Sequence, residues 1–164
     1  MKSNFEAHNL NPIYDKHSKV LLLGSFPSPK SRGEGFYYAH PQNRMWKVLA
    51  KICDAEVPQE IEQKKSLLLE HHIAMWDVLE SCEIEGASDL SIKNGKPNDL
   101  THIIAESNIK VIFTVGSKAT QYYKRYCEKL YDLPYYQLPS TSPANASMNV
   151  EKLAEKFYEI KKYI

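Results

Sequence analysis

The sequence has few cysteines, and their arrangement excludes most metal-cluster proteins. Its 164 residues contain three, Cys53, Cys82 and Cys127, which lie far apart and form no C-x-x-C pair. Three thiols cannot supply the four ligands of a typical iron–sulfur or structural zinc site, and no ligand pair stands at the usual spacing. We therefore expect buried or half-buried reduced thiols, no metal and no cofactor.

A long apolar run and a large net charge are also missing. No apolar run approaches the ~18 residues that a membrane-spanning helix needs, and the opening MKSNFEAHNL lacks the apolar core of a signal peptide. We therefore expect a cytoplasmic protein without a membrane partner. The net charge of +1 argues against binding driven by bulk positive charge, but it is compatible with a local basic face.

The residues that are present fit one globular domain. The length lies within the range of a single domain, and 43% apolar with 25% charged residues is the balance of an ordinary folded protein. No internal repeat, low-complexity segment or linker divides the chain. We expect residues 1–164 to form a single domain and the protein to be a monomer.

Short apolar runs alternate with helical patterns along the chain. Runs typical of buried strands occupy 19–23, 109–115 and 134–139, while 73–79 is either a strand or the start of a helix. Helical patterns occupy roughly 43–53, 59–72, 98–107, 117–131 and 149–163, with Asn98-Asp99 as the expected N-cap of the third. This alternation predicts a three-layer α/β/α sandwich with a central, mostly parallel four-stranded sheet.

Three loops rich in glycine, serine, proline, threonine and asparagine follow the predicted strands. They are GSFPSPKS after the first strand, GSKAT after residue 115 and PSTSPANA after residue 138. Ligands of parallel sheets bind at the carboxyl ends of the strands. Each loop alone would be an ordinary turn, but three at one sheet edge predict a phosphate-bearing ligand with a flat group.

The stretch from 33 to 46, GEGFYYAHPQNRMW, is rich in rings, whereas a plain surface loop is small and polar. The glycines and the prolines Pro27 and Pro29 argue against a helix at its start. Common motifs do not explain it, because GxGxxG and GxxxxGK[ST] are absent. The zinc deaminase signature and the G-x-S-x-G elbow are absent as well.

This region resembles the first motif of the uracil-DNA glycosylase superfamily. VLLLGSFPS followed by GFYYAHPQNRMWKVL is most similar to the hypoxanthine-DNA glycosylase branch, which also carries a late STSPAN loop. The resemblance runs from about Val20 to the final helix, and HPQNR is its most specific part. It implies a monofunctional glycosylase of base excision repair whose partner is DNA with a deaminated base, deoxyinosine being the expected substrate. A uracil or mismatch glycosylase and a catalytically silent binder of damaged DNA are the alternatives.

The resemblance also implies site residues. Gly24, Ser25 and Phe26 belong to a first loop that lacks the asparagine or aspartate with which other branches hold the attacking water, so the functional role passes to Asn43. With an amide in place of a carboxylate, a dissociative mechanism without a general base is expected.

A flipped base must regain its stacking inside the pocket. Tyr38 is the ring expected to stack on it, and Phe36 and Tyr37 are expected to form the pocket wall or pack beneath it. His40 either donates to the base or fixes the loop. Contacts to DNA are expected from Pro27, Ser28, Arg44, Gly116, Ser117, Lys118, Ser140, Ser142, Pro143 and Asn145.

Overall fold

The computed structural model describes residues 4–8, 10–84 and 92–164. The strands in this part of the chain are β1 (Asn4–Ala7), β2 (Val20–Gly24), β3 (Ile73–Asp77), β4 (Leu79–Ile84), β5 (Lys93–Pro97), β6 (Val111–Val115) and β7 (Tyr135–Leu138). The helices are α1 (Pro29–Glu34), α2 (Met45–Ile52), α3 (Ile61–Glu70), α4 (Thr101–Glu106), α5 (Ser117–Tyr126) and α6 (Val150–Phe157), the last continued by a 3-10 turn, Tyr158–Lys162.

The central sheet has four parallel strands in the order β3-β2-β6-β7. Val20 at the start of β2 pairs with Ile73 on one side and with Val111 on the other. The side chains of Val20 to Leu23 are fully buried, as expected for a strand covered on both faces. The ambiguous run at 73–79 is therefore a strand up to Asp77, and the predicted four-stranded parallel sheet is confirmed.

Helices cover both faces of this sheet. On one face Leu22 and Phe113 pack in a cluster with Leu49 of α2, Leu68 of α3 and Phe157 of α6. On the other face Leu21, Leu23 and Ile112 pack with residues of α4 and α5. Two separate apolar clusters divided by one sheet define three layers, which confirms the predicted α/β/α sandwich.

A second, antiparallel sheet has the order β1-β4-β5 and was not predicted. Only Val78 separates β4 from β3, so the two strands read as one apolar run in the sequence. The strand β5 has the sequence KNGKP, whose lysine, asparagine and glycine disfavour strands. Pairing with β4 overrides this local preference.

The helix α1 is a further difference, because the glycines and prolines argued against helix where the ring-rich stretch begins. Ser28 caps the helix by accepting a hydrogen bond from Ser31 N at 3.2 Å, and Pro29 occupies the first turn, where a missing N–H costs nothing. Gly35 ends the helix in the left-handed region with φ of 75°. Proline and glycine here start and stop a short helix.

The helix before β6 begins later than expected. Its first residue is Thr101, and Asp99 Oδ1 accepts a hydrogen bond from Thr101 N at 2.9 Å. Asn98 does not cap it: its side-chain Nδ2 donates to the backbone oxygen of Asp77 at 2.9 Å. The expected cap pair is therefore divided between the helix and the end of β3.

All three cysteines are free and buried, as expected. Burial raises the pKa of the Cys127 thiol to about 11, which keeps it protonated at neutral pH. In the described ranges, no helix has the length and apolar character that crossing a membrane requires.

Candidate active site

A pocket of about 350 Å³ opens at the carboxyl ends of β2 and β3, the edge predicted to hold the ligand. Three segments surround it: the first loop (residues 25–28), the aromatic loop (residues 35–44) and the late loop (residues 139–149). Eleven of the site residues expected from the sequence line it: Gly24, Ser25, Phe26, Pro27, Ser28, Tyr38, His40, Asn43, Ser140, Ser142 and Pro143.

Ser31 of α1 connects the first loop to the aromatic loop through hydrogen bonds. Ser28 Oγ donates to Ser31 Oγ at 3.3 Å, and Ser31 Oγ accepts from Ala39 N at 3.1 Å. Phe26 is buried against the His8 ring, edge to face at 5.2 Å between ring centroids, with the Arg32 guanidinium over it. The two loops are therefore connected through Ser31.

The phenylalanine and tyrosine rings of the aromatic loop lie at different depths, and Tyr38 is the least buried of them. Tyr38 is half-buried, lines the pocket and has a φ of 51°, a strained value for a bulky residue. Trp46 Nε1 donates to Tyr38 O at 3.2 Å and helps to hold this conformation. The loop is thus built around an unfavourable backbone angle that directs Tyr38 to the pocket.

The neighbouring rings of Phe36 and Tyr37 belong to the core cluster against which Tyr38 packs. Tyr37 lines the pocket, and its hydroxyl donates to Asn11 O at 2.8 Å. Burial, and after it the negative charge of Asp77, raise the pKa of Tyr37 well above its usual range. Phe36 is stacked on Trp46 in the core with 5.8 Å between ring centroids. Phe36 therefore packs in the core beneath the pocket and does not line it, which is the second of the two positions expected for it.

Asn43 lies near the end of the aromatic loop, and its hydrogen bonds determine the orientation of its side-chain amide. Its Oδ1 accepts from Met45 N and from Thr141 Oγ1, both at 2.9 Å. Because a backbone N–H can only donate, the atom that receives it must be the amide oxygen. Within the described part of the chain, Nδ2 donates to no protein group, so the amide offers the pocket an NH₂ donor.

His40 is exposed at the pocket rim, and its hydrogen bonds bear on its two expected roles, fixing the loop and donating to the base. Its Nδ1 accepts a hydrogen bond from Gln42 N at 3.0 Å, and its backbone oxygen accepts from Asn43 N at 2.9 Å. These bonds stabilise the turn that presents Asn43. In the neutral ring the proton is then on Nε2, which is the atom able to donate to a ligand.

Arg44 does not extend toward a phosphate, contrary to the expectation. Its guanidinium donates to backbone oxygens of the late loop: Nε to Thr141 at 3.3 Å, and the terminal nitrogens to Ser142, Asn145 and Met148. All three nitrogens are engaged with the protein, so the charge is used to shape the late loop. Arg44 therefore has a structural role in this structure, and its predicted contact with DNA stays a prediction.

The late loop has its own internal support. Ser140 Oγ accepts from Ser142 N at 3.1 Å, Ser142 Oγ accepts from Ala144 N at 3.2 Å, and Asn145 Nδ2 donates to Ser140 O at 2.9 Å. Ser140, Ser142 and Pro143 line the pocket, whereas the Asn145 side chain is used to close the loop.

The GSKAT segment lies behind the late loop and outside the pocket. Gly116 has a φ of 92°, and a Cβ built on it would lie 3.6 Å from Ser140 Cβ. Ser117 begins α5 on the surface, and Lys118 Nζ lies 5.9 Å from the centre of the Tyr122 ring. The segment therefore supports the loop that faces the ligand.

Sequence reasoning missed Asp77, which brings a carboxylate to a site expected to have none. Asp77 is the last residue of β3, pairs with Gly24, is 4% exposed and lines the pocket. The available signal was its place at the carboxyl end of an apolar run, where ligand-binding residues of parallel sheets stand. The signal was missed because the sequence pattern of 73–79 fits either a strand or the start of a helix.

Comparison with known proteins gives consistent matches over most of the chain. Residues 12–162 match the model of the uracil DNA glycosylase superfamily. A protein named hypoxanthine DNA glycosylase from Methanosarcina barkeri is 31% identical over 114 residues, 68% of this chain and 72% of the relative. One with the same name from Methanosarcina acetivorans is 28% identical over 145 residues, 87% of this chain and 90% of the relative.

The fold has a solved counterpart. The solution NMR structure of a candidate uracil DNA glycosylase from Methanosarcina acetivorans superposes with a TM-score of 0.80 at 23% identity, covering 96% of this chain and 99% of the other. At this identity the likeness concerns the fold, while the family match rests on the sequence. The glycosylases of this family hydrolyse the N-glycosidic bond of a base in DNA. The chain, with its three-layer fold and its pocket at the carboxyl ends of β2 and β3, belongs to the uracil DNA glycosylase superfamily.

Proposed function

We propose that the protein is a monofunctional DNA glycosylase that removes hypoxanthine from deoxyinosine in DNA. The names of the two Methanosarcina relatives support this choice of base. The end of β2 and the first loop also support it, because the side chains of Gly24, Ser25, Phe26, Pro27 and Ser28 include no amide or carboxylate with which to hold water. The pocket instead offers the Asn43 amide from the neighbouring loop.

The observation that carries the proposal is the direction of the Asn43 amide. Its oxygen is held by Met45 N and Thr141 Oγ1, so its NH₂ is the group available to a ligand. Hypoxanthine has acceptors at O6, N7 and N3, and each gains negative charge as the base departs. A donor fixed beforehand at such an atom stabilises the transition state more than the ground state.

The proposed reaction is a dissociative hydrolysis. The C1′–N9 bond breaks with its electron pair going to the purine, and water adds to the oxocarbenium-like carbon. One proton of the water finally goes to the base, leaving free hypoxanthine and an abasic sugar. The Tyr38 ring replaces the stacking that the base loses when it leaves the duplex.

The test compares three labelled duplexes that carry inosine, uracil or xanthine. Each is incubated with the protein in buffer containing EDTA, because no metal is proposed, and abasic sites are then cleaved with alkali. We expect cleavage at inosine to be fastest and to be lost in Asn43→Ala. Gln42→Ala is the matched control, since it removes an exposed amide next to Asn43.

Each alternative has its own result. Faster cleavage at uracil would replace the proposed substrate with uracil. Tight binding to all three duplexes without cleavage would indicate a silent binder of damaged DNA. Equal activity of Asn43→Ala and the unaltered protein would refute the role given to Asn43.

A further inference from the structure

The inference concerns the peptide group that joins Tyr38 to Ala39, next to the ring expected to stack on the base. A trans peptide is a rigid plane with its C=O and its N–H on opposite sides. The oxygen of this plane, Tyr38 O, accepts a hydrogen bond from Trp46 Nε1 at 3.2 Å. The nitrogen, Ala39 N, donates to Ser31 Oγ at 3.1 Å. Side chains of α2 and α1 therefore hold one peptide plane from its two sides.

Both side chains that hold the plane are themselves fixed. Ser31 is 1% exposed, and Ser28 Oγ accepts from its backbone nitrogen and donates to its hydroxyl oxygen. Trp46 is 5% exposed, its ring is stacked on Phe36, and Lys64 Nζ lies 5.4 Å from the ring centre. The peptide is therefore anchored to two helices and not only to the aromatic loop.

The anchored peptide follows a residue in an unfavourable conformation. Tyr38 has a φ of 51°, in the left-handed region, where the Cβ of an L-residue is crowded. The other non-glycine residues with positive φ in the described ranges are Asp54, His72 and Asn94, which belong to the types that tolerate this region best. The conformation of Tyr38 therefore depends on its surroundings, and such outliers cluster at functional sites.

The two bonds connect this conformation to the pocket. If either bond is lost, the peptide plane can rotate and Tyr38 can relax toward negative φ, which changes the direction of its Cα–Cβ bond. The Tyr38 ring would then leave its present position in the pocket lining. A stacking ring that is directed before the base arrives spares the reaction the cost of orienting it.

We propose that Trp46 and Ser31 are positioning residues: through the peptide between residues 38 and 39, they direct the Tyr38 ring at the flipped base. This inference rests on the proposed function. Trp46 acts without touching the base, since its ring packs in the core. Ser31 also lines the pocket, so the experiment has to separate its action through Tyr38 from a direct contact with the base.

The experiment is a double-mutant cycle on an inosine duplex. Single-turnover excision is measured for the unaltered protein, for Trp46→Phe and Ser31→Ala, and for each of these combined with Tyr38→Ala. Trp46→Phe keeps an aromatic ring against Phe36 and removes the Nε1 donor, while Ser31→Ala removes the hydroxyl acceptor. We expect each of the two to slow excision about 3- to 10-fold, the effect of one neutral hydrogen bond.

The decisive comparison is made without the ring. In a Tyr38→Ala protein there is no ring to direct, so Trp46→Phe and Ser31→Ala should change the remaining rate by less than about 2-fold. A residue that contacts the base directly, or that only stabilises the fold, would slow excision equally with and without the ring. Affinity for a duplex with an abasic site, which has no base to stack, should be the same in the unaltered protein and in both variants.

Two matched controls remove bonds of the same kind outside the pocket lining. Trp76→Phe removes an indole donor, Trp76 Nε1, which bonds to Leu10 O at 3.1 Å. Ser107→Ala removes a hydroxyl that accepts from Ile109 N at 3.3 Å. Both control variants should excise hypoxanthine at the unaltered rate.

Thermal unfolding sets an assay temperature at which the variants are folded. If Trp46→Phe or Ser31→Ala does not fold, Trp46→Tyr or Ser31→Cys takes its place in the cycle. Tyrosine keeps a ring without the indole donor, and cysteine keeps the size of serine with a much weaker acceptor.

The outcomes separate this inference from the proposed function. No excision of hypoxanthine by the unaltered protein would refute the proposed function and this inference with it. Excision by the unaltered protein, together with unaltered rates in folded Trp46 and Ser31 variants, would overturn this inference alone. Losses that persist in the Tyr38→Ala protein, or an unaltered rate in Tyr38→Ala itself, would overturn it as well. Losses that disappear with the ring would support it.

Discussion

At the scale of residues, several pocket side chains divide their hydrogen-bonding capacity between the fold and the ligand. Asn43 uses its oxygen for Met45 and Thr141 and keeps its NH₂ for the pocket. His40 uses Nδ1 for Gln42 N and keeps Nε2 at the rim. Because one end of each group is held by the protein, the other end is oriented before the substrate arrives, which is the condition for preorganised catalysis.

Asn43→Asp tests the role proposed for the NH₂ group of Asn43. The carboxylate keeps an oxygen for Met45 N and Thr141 Oγ1, but it has no NH₂ and its charge opposes a purine that leaves with negative charge. We expect single-turnover excision of hypoxanthine to fall by ~10²–10³, with the thermal midpoint little changed and DNA binding reduced much less.

Asn43→Ala provides the comparison, because it loses the same NH₂ together with the two structural bonds. It should be as inactive as Asn43→Asp and additionally less stable by about 1 kcal/mol. If Asn43→Asp excised hypoxanthine as fast as the unaltered protein, the amide NH₂ would have no part in the reaction. His40 would then be the next candidate.

His8 gives a prediction about pH. Its Nδ1 accepts from Leu10 N and its Nε2 donates to Leu79 O, so the ring is held neutral. Burial lowers its pKa below the ordinary 6.5, with Arg32 acting in the same direction and Glu80 and the bond to Leu79 opposing it. Below 6.5 the unfolded chain therefore binds a proton that the folded chain excludes, and stability falls as pH falls.

We expect the free energy of unfolding to decrease from pH 7.5 to pH 5.5, and His8→Gln to flatten this dependence. The effect is at most about 1.4 kcal/mol for each unit by which the two pKa values differ. Denaturant unfolding at several pH values measures it. His102→Gln, at an exposed histidine on α4, is the control; an unchanged slope in His8→Gln would show that other groups cause the dependence.

At the scale of elements, Arg44 joins the start of α2 to the late loop. Arg44→Lys keeps the positive charge but cannot reproduce bonds from three nitrogens to four backbone oxygens. We expect a loss of at least about 2 kcal/mol in unfolding free energy, together with slower excision. The slope of log K against log salt for DNA binding should not change.

That salt slope distinguishes the two interpretations of Arg44. If Arg44 contacts a phosphate, Arg44→Ala should reduce the magnitude of the slope by about 0.9. If Arg44 is structural, the same substitution should lower the stability and leave the slope unchanged. Arg125→Lys, on the surface of α5, is the matched control for the exchange of one cation for the other.

The elements that could be predicted are those whose own residues determine their structure. Apolar runs such as KVLLL and IKVIFTV form β2 and β6 because both faces of those strands are buried. The strand β5 could not be predicted, since its polar sequence becomes a strand only by pairing with β4.

The candidate site divides in the same way. The aromatic and first loops follow from local motif similarity, and the structure places them around one pocket. The contacts of Arg44 with the late loop join residues 97 to 104 positions apart, and no local pattern indicates such partners. Asp77 was missed because its place at the pocket depends on where β3 ends, and the composition of the run at 73–79 does not show that boundary.

At the scale of the whole molecule, the near-neutral charge predicts modest electrostatic binding. With a net charge of +1, only a few phosphates should be neutralised. For about three contacts the slope of log K against log salt is about −3. Titration of a labelled inosine duplex at several salt concentrations measures it, and a slope near zero would mean that nucleic acid is not the ligand.

The long separation between Arg44 and its acceptors has a consequence for synthesis on the ribosome. A chain that grows by about 5–20 residues each second makes the late loop roughly 5–20 seconds after Arg44. During this interval the first and aromatic loops exist without their opposite wall, and the Arg44 guanidinium still lacks its carbonyl partners. The nascent chain can therefore complete its pocket only after Met148 has emerged, so it cannot act on DNA while most of it is still being made.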